Sequence, residues 1–272
     1  MNFEGLEQYL NIDNTKYNTP SLDALNYYLK QYMLTVPFEN IDVQNGVKIS
    51  VEVEDIYNKV VNHQRGGFCY EMNNFFKAYL EHKGFTVNMV SATIHTPGGG
   101  RSLKGSHMSL IVPIDGVDYV SDVGFGDLPL SVMPITQEEN STIIHDINGD
   151  FRAIYVNDNL FYIQKWKDDD WDTQYEAELT PRHIHDFDYN IEYNQTNPNS
   201  TFVKRLLVTM PKSYGRATMS QDNLTLTKQQ KKEKYDVTSE NYRQFLKEEF
   251  NLRLRCYVAF DFARTYYPLL IT

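Results

Sequence analysis

The stretch RGGFCYE, residues 65–71, sets two glycines directly ahead of one of the chain's two cysteines, and helical spacing begins at that cysteine. If Cys69 opens a helix, the chain has a thiol at a helix tip. A glycine pair admits φ > 0 and close approach, which lets a chain turn sharply into a helix while its first side chain faces a cleft. At such a tip the unpaired N–H groups and the positive end of the dipole favour a thiolate over a thiol, and the same groups can receive a developing oxyanion. The plainer reading makes Cys69 one more buried helix residue. What separates the two readings is a base.

Downstream of Cys69, the residues Met72, Phe75, Phe76, Tyr79 and Leu80 form an apolar stripe, and Gly84 suits the C′ position of a helix running to Lys83. Upstream, Leu22, Leu25, Tyr28 and Leu29 recur at helical spacing, with Ser21 as N-cap and Asp23 in the first turn. A further helical pattern covers 53–61. Residues 1–84 therefore read as a helical unit. From Phe85 the pattern changes to alternation in FTVNMVSATIH, HMSLIVPI, DYVSDVGF, FRAIYV and LFYIQKW, which predicts a block of antiparallel strands over 85–195. Residues 196–272 mix strand-like pieces, FVKRLLVTM and NLTLT among them, with a helical segment over 239–250. The charge runs at 168–172 and 228–234 read as solvated loops.

The 272 residues carry 26 Lys+Arg and 36 Asp+Glu, a formal charge of −10, so no basic field exists to hold a nucleic acid or an anionic membrane face. The opening residues show no signal-peptide pattern, and no run of eighteen apolar residues occurs. A cytoplasmic protein with two free thiols is expected. Cys256, in the alternating LRLRCYVAF, has no glycine turn and reads as inert packing.

Seven histidines compete to be the base. The segment 107–126 reads as a hairpin around Asp115-Gly116, a favoured two-residue turn. Counting outward sets Ile114 opposite Val117 and Ser109 opposite Asp122. His107 then shares a face with Asp122 as its diagonal neighbour, about 7 Å away at Cβ. A carboxylate that fixes one imidazole nitrogen leaves the other free to take a proton from a thiol. Spacing leaves open both a Cys69, His107 and Asp122 constellation and an ordinary cross-strand polar pair.

RGGFCYEMN resembles the RGGxCxExN signature of the arylamine N-acetyltransferases. VPFENID at 36–42, GSHMSLIV, DVGFG and NPNSTFV at 197–203 resemble further family elements in the family's order, over roughly 36–215. The resemblance implies an α+β architecture: an N-terminal helical bundle, a central antiparallel β-barrel and a C-terminal α/β lid, with a papain-like grouping of nucleophile Cys69, base His107 and orienting acid Asp122. It also implies ping-pong transfer of an acetyl group from acetyl-coenzyme A to an arylamine, arylhydrazine or arylhydroxylamine, without a metal, in a monomer or homodimer. TPGGGRSLKG at 96–105 offers Gly98, Gly99, Gly100, Arg101, Lys104 and Gly105 to the coenzyme; three glycines in a row also read as a flexible loop. Phe38, Phe68, Phe125 and Phe202 are the candidate acceptor wall, with core packing as the plainer reading, and His95 is a spare substrate contact. Two alternatives keep other outcomes open: a hydrolase or transglutaminase-like enzyme on the same triad, and an idle module that binds coenzyme A or an aromatic ligand.

Overall fold

A computed structural model describes residues 1–254 and 256, Gln230 excepted. Ser21 Oγ accepts the Ala24 N–H at 3.2 Å and so opens α2 (Leu22–Thr35), after the short α1 (Glu4–Tyr9). Leu25, Tyr28, Leu29, Tyr32 and Met33 bury one face of α2. Next come the two-residue strand β1 (Phe38–Glu39), the single turn α3 (Ile41–Gln44) and α4 (Val53–Tyr57), which continues as a π-helical turn through Asn62. The helix α5 (Cys69–His82) begins at the cysteine and ends ahead of Gly84, whose φ of +87° is the left-handed conformation that glycine adopts freely.

The glycine pair before α5 works through space, and left-handed backbone is not used. Neither Gly66 nor Gly67 has a positive φ. A Cβ on Gly66 would stand 1.7 Å from the Pro37 carbonyl oxygen, and one on Gly67 would stand 2.6 Å from Glu71 Oε2. The close approach lets β1 dock on the turn, where the Glu39 N–H donates to the Gly67 carbonyl at 2.9 Å. A largely buried ion network fastens the same turn: Arg65 pairs with Glu39 and Asp42, and Lys59 with Asp42 and Glu71, all at 2.7–2.8 Å. With each charge partnered, removing one member would strand its neighbours in a poorly hydrated site.

From Asn88 the chain turns to strands: β2 (Asn88–Thr96), β3 (Gly100–Arg101), β4 (His107–Ile114), β5 (Val117–Val120), β6 (Met133–Thr136), β7 (Ile144–Asp146), β8 (Gly149–Asn157), β9 (Leu160–Lys167) and β10 (Asp170–Arg182). Seven of them form a barrel in the order β10-β9-β8-β6-β5-β4-β2, closed by β10 pairing with β2. Every pair in that ring is antiparallel except β6 with β8, which run parallel. The strand β4 is buried on both faces. Met108, Leu110 and Val112 pack on the helical core with α5, while Ile111 joins the barrel interior with Val120, Phe151 and Tyr175.

The expected turn is present: Asp115 and Gly116 both have positive φ, and Ile114 stands opposite Val117. The paired strands end at Ile111 opposite Val120, however, with one further bond from the Ser121 N–H to the Leu110 carbonyl at 2.9 Å, so the ladder does not reach the pair of Ser109 and Asp122 that counting implied. The chain leaves the sheet there because the following loop turns onto the tip of α5.

After the barrel come α6 (Asp188–Thr196), α7 (Thr201–Lys204), β11 (Val208–Lys212), β12 (Gly215–Met219), β13 (Asn223–Lys228), β14 (Lys231–Asp236) and α8 (Tyr242–Phe250). The strands form a five-stranded antiparallel sheet in the order β1-β11-β12-β13-β14. Residues 202–210, read as one strand, start as helix because Ser200 Oγ caps the Phe202 N–H, and become β11 only from Val208. Of the run 228–234, read as a loop, Lys228 ends β13 and 231–234 open the outer strand β14, which is exposed along its length, its lysines suited to an edge. Of the run 168–172, also read as a loop, 168 and 169 form a turn with positive φ at both aspartates, while 170–172 open β10 and pair with β9. Cys256 is buried beside α8 in the C-terminal core, as inert packing requires; the rest of the alternation over 252–260, like the end of the lid at 272, lies largely outside the described residues. Among the described residues no helix is long and apolar enough to cross a membrane.

Candidate active site

Asp122 is the hub of a buried hydrogen-bond set. Oδ2 accepts His107 Nε2 at 2.6 Å and the Tyr175 hydroxyl at 2.9 Å; Oδ1 accepts Asn73 Nδ2 at 2.8 Å and the Gly124 N–H at 2.9 Å. Four donors on one carboxylate stabilise its charge. Burial raises the carboxyl, but His107, Asn73 and Gly124 outweigh it and hold Asp122 below the ordinary carboxylate value. Burial and the adjacent carboxylate push the Tyr175 phenol well above its usual value, so it remains a donor. Ser109 lies 3.0 Å from the same hydroxyl.

His107 is bonded to Asp122, and the Cys69 thiol is close enough to add to the upward push on its pKa. Since Asp122 takes Nε2, Nδ1 is the nitrogen free to exchange a proton with a thiol. Burial by itself would discharge the imidazole; the Asp122 charge and hydrogen bond outweigh it, Cys69 acts in the same direction, and the His107 pKa is pushed up to about 10. A raised folded-state pKa gives stability that is complete below the unfolded value of 6.5 and fades as pH rises toward about 10. The urea midpoint should therefore fall from neutral to alkaline pH by more in the wild-type chain than in His107→Gln. A constant gap between the two chains across that window would show that folding adds no proton affinity at His107.

Local sequence explains why the thiol meets this hairpin. Phe68 is the N-cap of α5, and Glu71, in its first turn, accepts the Phe68 N–H at 3.1 Å while bound to Lys59. Burial raises the Glu71 carboxyl despite Lys59. One turn on from Cys69, Asn73 reaches across the hairpin: Nδ2 also donates to the Met108 carbonyl at 2.6 Å, and Oδ1 accepts the Val123 N–H at 2.9 Å. Gly124 lies flat on the helix tip, where a Cβ would be 2.7 Å from Asn73 Nδ2 and 2.9 Å from Cys69 Cα. Asn73 closes the quoted signature, yet its role was not assigned from sequence. Tyr175 gave no signal beyond alternation, because its approach to Asp122 depends on β10 closing the barrel.

The four candidate wall residues gather near this grouping. The Phe125 ring lies 5.4 Å from His107, and Phe202 lies 5.9 Å from both Phe38 and Phe68. Phe38 lies 3.9 Å from where a Cβ on Gly126 would stand, which links the two groups. Phe38 and Phe68 are buried; Phe125 and Phe202 are half-buried. The glycine loop is placed differently. Gly98 and Gly99 have positive φ and open space around them, and Gly100 opens β3. Arg101 pairs with Glu176 at 3.1 Å, as does His95, while Lys104 pairs with Glu178 at 2.8 Å. Gly105 is buried at the other end, its carbonyl accepting the Tyr70 hydroxyl at 2.8 Å beside Cys69. The loop is thus anchored next to the thiol and clasped outward by the two glutamates.

A family model described as N-acetyltransferase matches residues 21–258. The chain is 28% identical over 255 residues to the pineal gland arylamine N-acetyltransferase isozyme NAT-10 of Gallus gallus, covering 86% of this chain and 88% of that one. It is 27% identical over 263 residues to arylamine N-acetyltransferase 1 of Homo sapiens, covering 88% and 90%. The crystal structure of the (BACCR)NAT3 arylamine N-acetyltransferase from Bacillus cereus, described as having a unique Cys-His-Glu catalytic triad, superposes with a TM-score of 0.83 at 26% identity, covering 92% of this chain and 98% of that one.

Proposed function

This chain belongs to the arylamine N-acetyltransferase family, and from that premise we propose that it carries an acetyl group from acetyl-coenzyme A to an aromatic amine or hydrazine through a covalent acetyl-Cys69. The observation that carries the reading is the hydrogen-bonded imidazole and carboxylate brought up to the thiol that opens α5.

In the first half-reaction the Cys69 thiolate attacks the thioester carbonyl. The positive charge on His107 attracts the sulfur anion, and N–H groups of the first turn of α5, which have no acceptor within the helix, face the developing oxyanion. The C–S bond to coenzyme A then breaks, and His107 supplies the proton to the departing thiolate. In the second, an aromatic amine, largely unprotonated at neutral pH, attacks the acetyl carbon. His107 takes the amine proton and Cys69 leaves as thiolate. Asp122 holds the imidazole in one orientation throughout, and Tyr175, Asn73 and Gly124 hold Asp122. Phe38, Phe68, Phe125 and Phe202 are proposed to wall the acceptor ring. Arg101 and Lys104 are proposed to meet the coenzyme's phosphates by exchanging Glu176 and Glu178 for them, with Gly98, Gly99, Gly100 and Gly105 giving backbone access. The half-exposed Arg101 side chain and the 79% exposed Lys104 side chain make that exchange inexpensive.

The test is intact-protein mass after mixing with acetyl-coenzyme A and no acceptor. One added acetyl group, mapped to the peptide containing Cys69 and discharged on adding an arylamine as its N-acetyl product, is the expected result. A folded protein whose mass does not move would refute the acetyl-cysteine route.

A further inference from the structure

Asn40 takes no part in the thiol chemistry, yet it is 2% exposed and its side chain is fully engaged. Nδ2 donates to the carbonyls of Phe202 and Arg205, each at 2.8 Å, and Oδ1 accepts the Leu207 N–H at 2.7 Å. One turn further, Gln44 Nε2 donates to the Phe202 carbonyl at 2.6 Å and to the Val203 carbonyl at 3.2 Å. The need is plain from the length of α7. A four-residue helix pairs the Thr201 carbonyl with the Arg205 N–H but leaves those from Phe202 onward without helical partners, and burying them unpaired would cost about 1–3 kcal/mol each. Two side-chain amides more than 150 residues away in sequence supply the donors. On its other side the segment holding Asn40 is tied to the nucleophile's turn, through the Glu39 N–H on the Gly67 carbonyl. Asn40 thus stands between the turn that presents Cys69 and the helix that presents Phe202.

We infer that Asn40 and Gln44 are positioning residues for the acceptor half of the reaction: by capping the carbonyls of α7 they hold Phe202 against Phe68 and Phe38, fixing the wall on which an arylamine ring packs. The inference rests on the reading of Cys69 as the acetyl carrier. Without the cap, Phe202 loses its fixed place and ring binding weakens. Attack on the thioester needs only the tip of α5 and His107, and proceeds as before.

Two variants test this. Asn40→Asp keeps size and the bond from Leu207 but turns an acceptor toward two carbonyls; the milder Gln44→Met keeps length and removes the donor. Acetyl-Cys69 formation is followed by intact mass, then its discharge by a fused-ring arylamine and by hydrazine, which has no ring to pack. The expected outcome is unchanged acetylation, unchanged discharge by hydrazine, and an acceptor KM for the arylamine raised about tenfold in Asn40→Asp and less in Gln44→Met. Equal loss with both acceptors, a slowed first step, or no change in either variant would overturn the inference. If the wild-type protein takes up no acetyl group, the acetyl-carrier reading fails and takes the inference with it, an outcome distinct from a normally charged wild type with unaltered variants.

Discussion

Cys69→Ala is expected to lower kcat/KM for arylamine acetylation by on the order of 10⁶, the scale on which removal of a nucleophile acts, while the protein unfolds at close to its usual urea concentration. The asymmetry follows from what the residue touches. Cys69 is buried in the first turn of α5, but the tip is held by Glu71 on the Phe68 N–H, by Asn73 across the hairpin and by Gly124 packed against backbone. None of those contacts uses the sulfur. Alanine is a good helix former, and the space lost is one small polarisable atom. The chemistry is different, because no other thiol is near: Cys256 lies in the C-terminal core with α8. What remains in the variant is binding and oxyanion support, so the residual rate measures direct transfer from thioester to amine. Double-reciprocal plots separate the routes. Wild type should give the parallel lines of a ping-pong mechanism, and the variant, where measurable, intersecting lines. A variant retaining a hundredth of the activity or more would mean that the acetyl group does not pass through sulfur.

The parts of this site legible in the sequence are those written locally. The start of α5 at Cys69, its end ahead of Gly84, the Ser21 cap of α2 and the Asp115-Gly116 turn each depend on a few adjacent residues, and each was found where expected. His107 and Asp122 were paired correctly for a reason only half right. The hairpin aims His107 properly, but the carboxylate is delivered by a loop that has left the sheet and been drawn onto α5 by Asn73. That contact joins residues far apart in the chain, and no period reveals it. Tyr175 and the parallel pairing of β6 with β8 were hidden for the same reason, since both follow from barrel closure. The exposed edge strand β14 was read as a loop because it buries no face and therefore shows no alternation. In 202–210 the cap at Ser200 overrode a strand-like composition for one helical turn. The amides of Asn40 and Gln44 serve carbonyls near residue 202, a need that arises only once α7 proves too short to satisfy itself.

Asp122→Asn is expected to lower kcat by about 10⁴, the scale for exchanging the orienting carboxylate of such a triad for its amide, with a smaller loss of stability. The carboxylate accepts four donors, two on each oxygen. An asparagine side chain offers one carbonyl oxygen, and its NH₂ must confront the other pair. If the NH₂ turns to Asn73 and Gly124, the loop loses the Asp122 bond to Asn73 on α5 and its own turn bond from the Gly124 N–H, keeping the Val123 N–H on Asn73 Oδ1, and His107 with Tyr175 keeps only a neutral acceptor. If it turns to His107 and Tyr175, the imidazole must present Nε2 as acceptor, which moves the ring proton to Nδ1 and points it at Cys69. That tautomer cannot take a proton from the thiol. In both orientations the negative charge that offsets burial at His107 is gone, so its pKa falls from the raised wild-type value, and the charged imidazole that the proposed attack uses is scarce at neutral pH. The pH profile of acetyl-Cys69 formation separates this account from simple loss of fold. A folded variant should show slow acetylation with its His107-dependent limb moved to lower pH, and Asp122→Glu, which keeps the charge, should recover part of the rate. If Asp122→Asn were slow with an unmoved profile, the carboxylate would be holding the loop and not setting the charge of the imidazole.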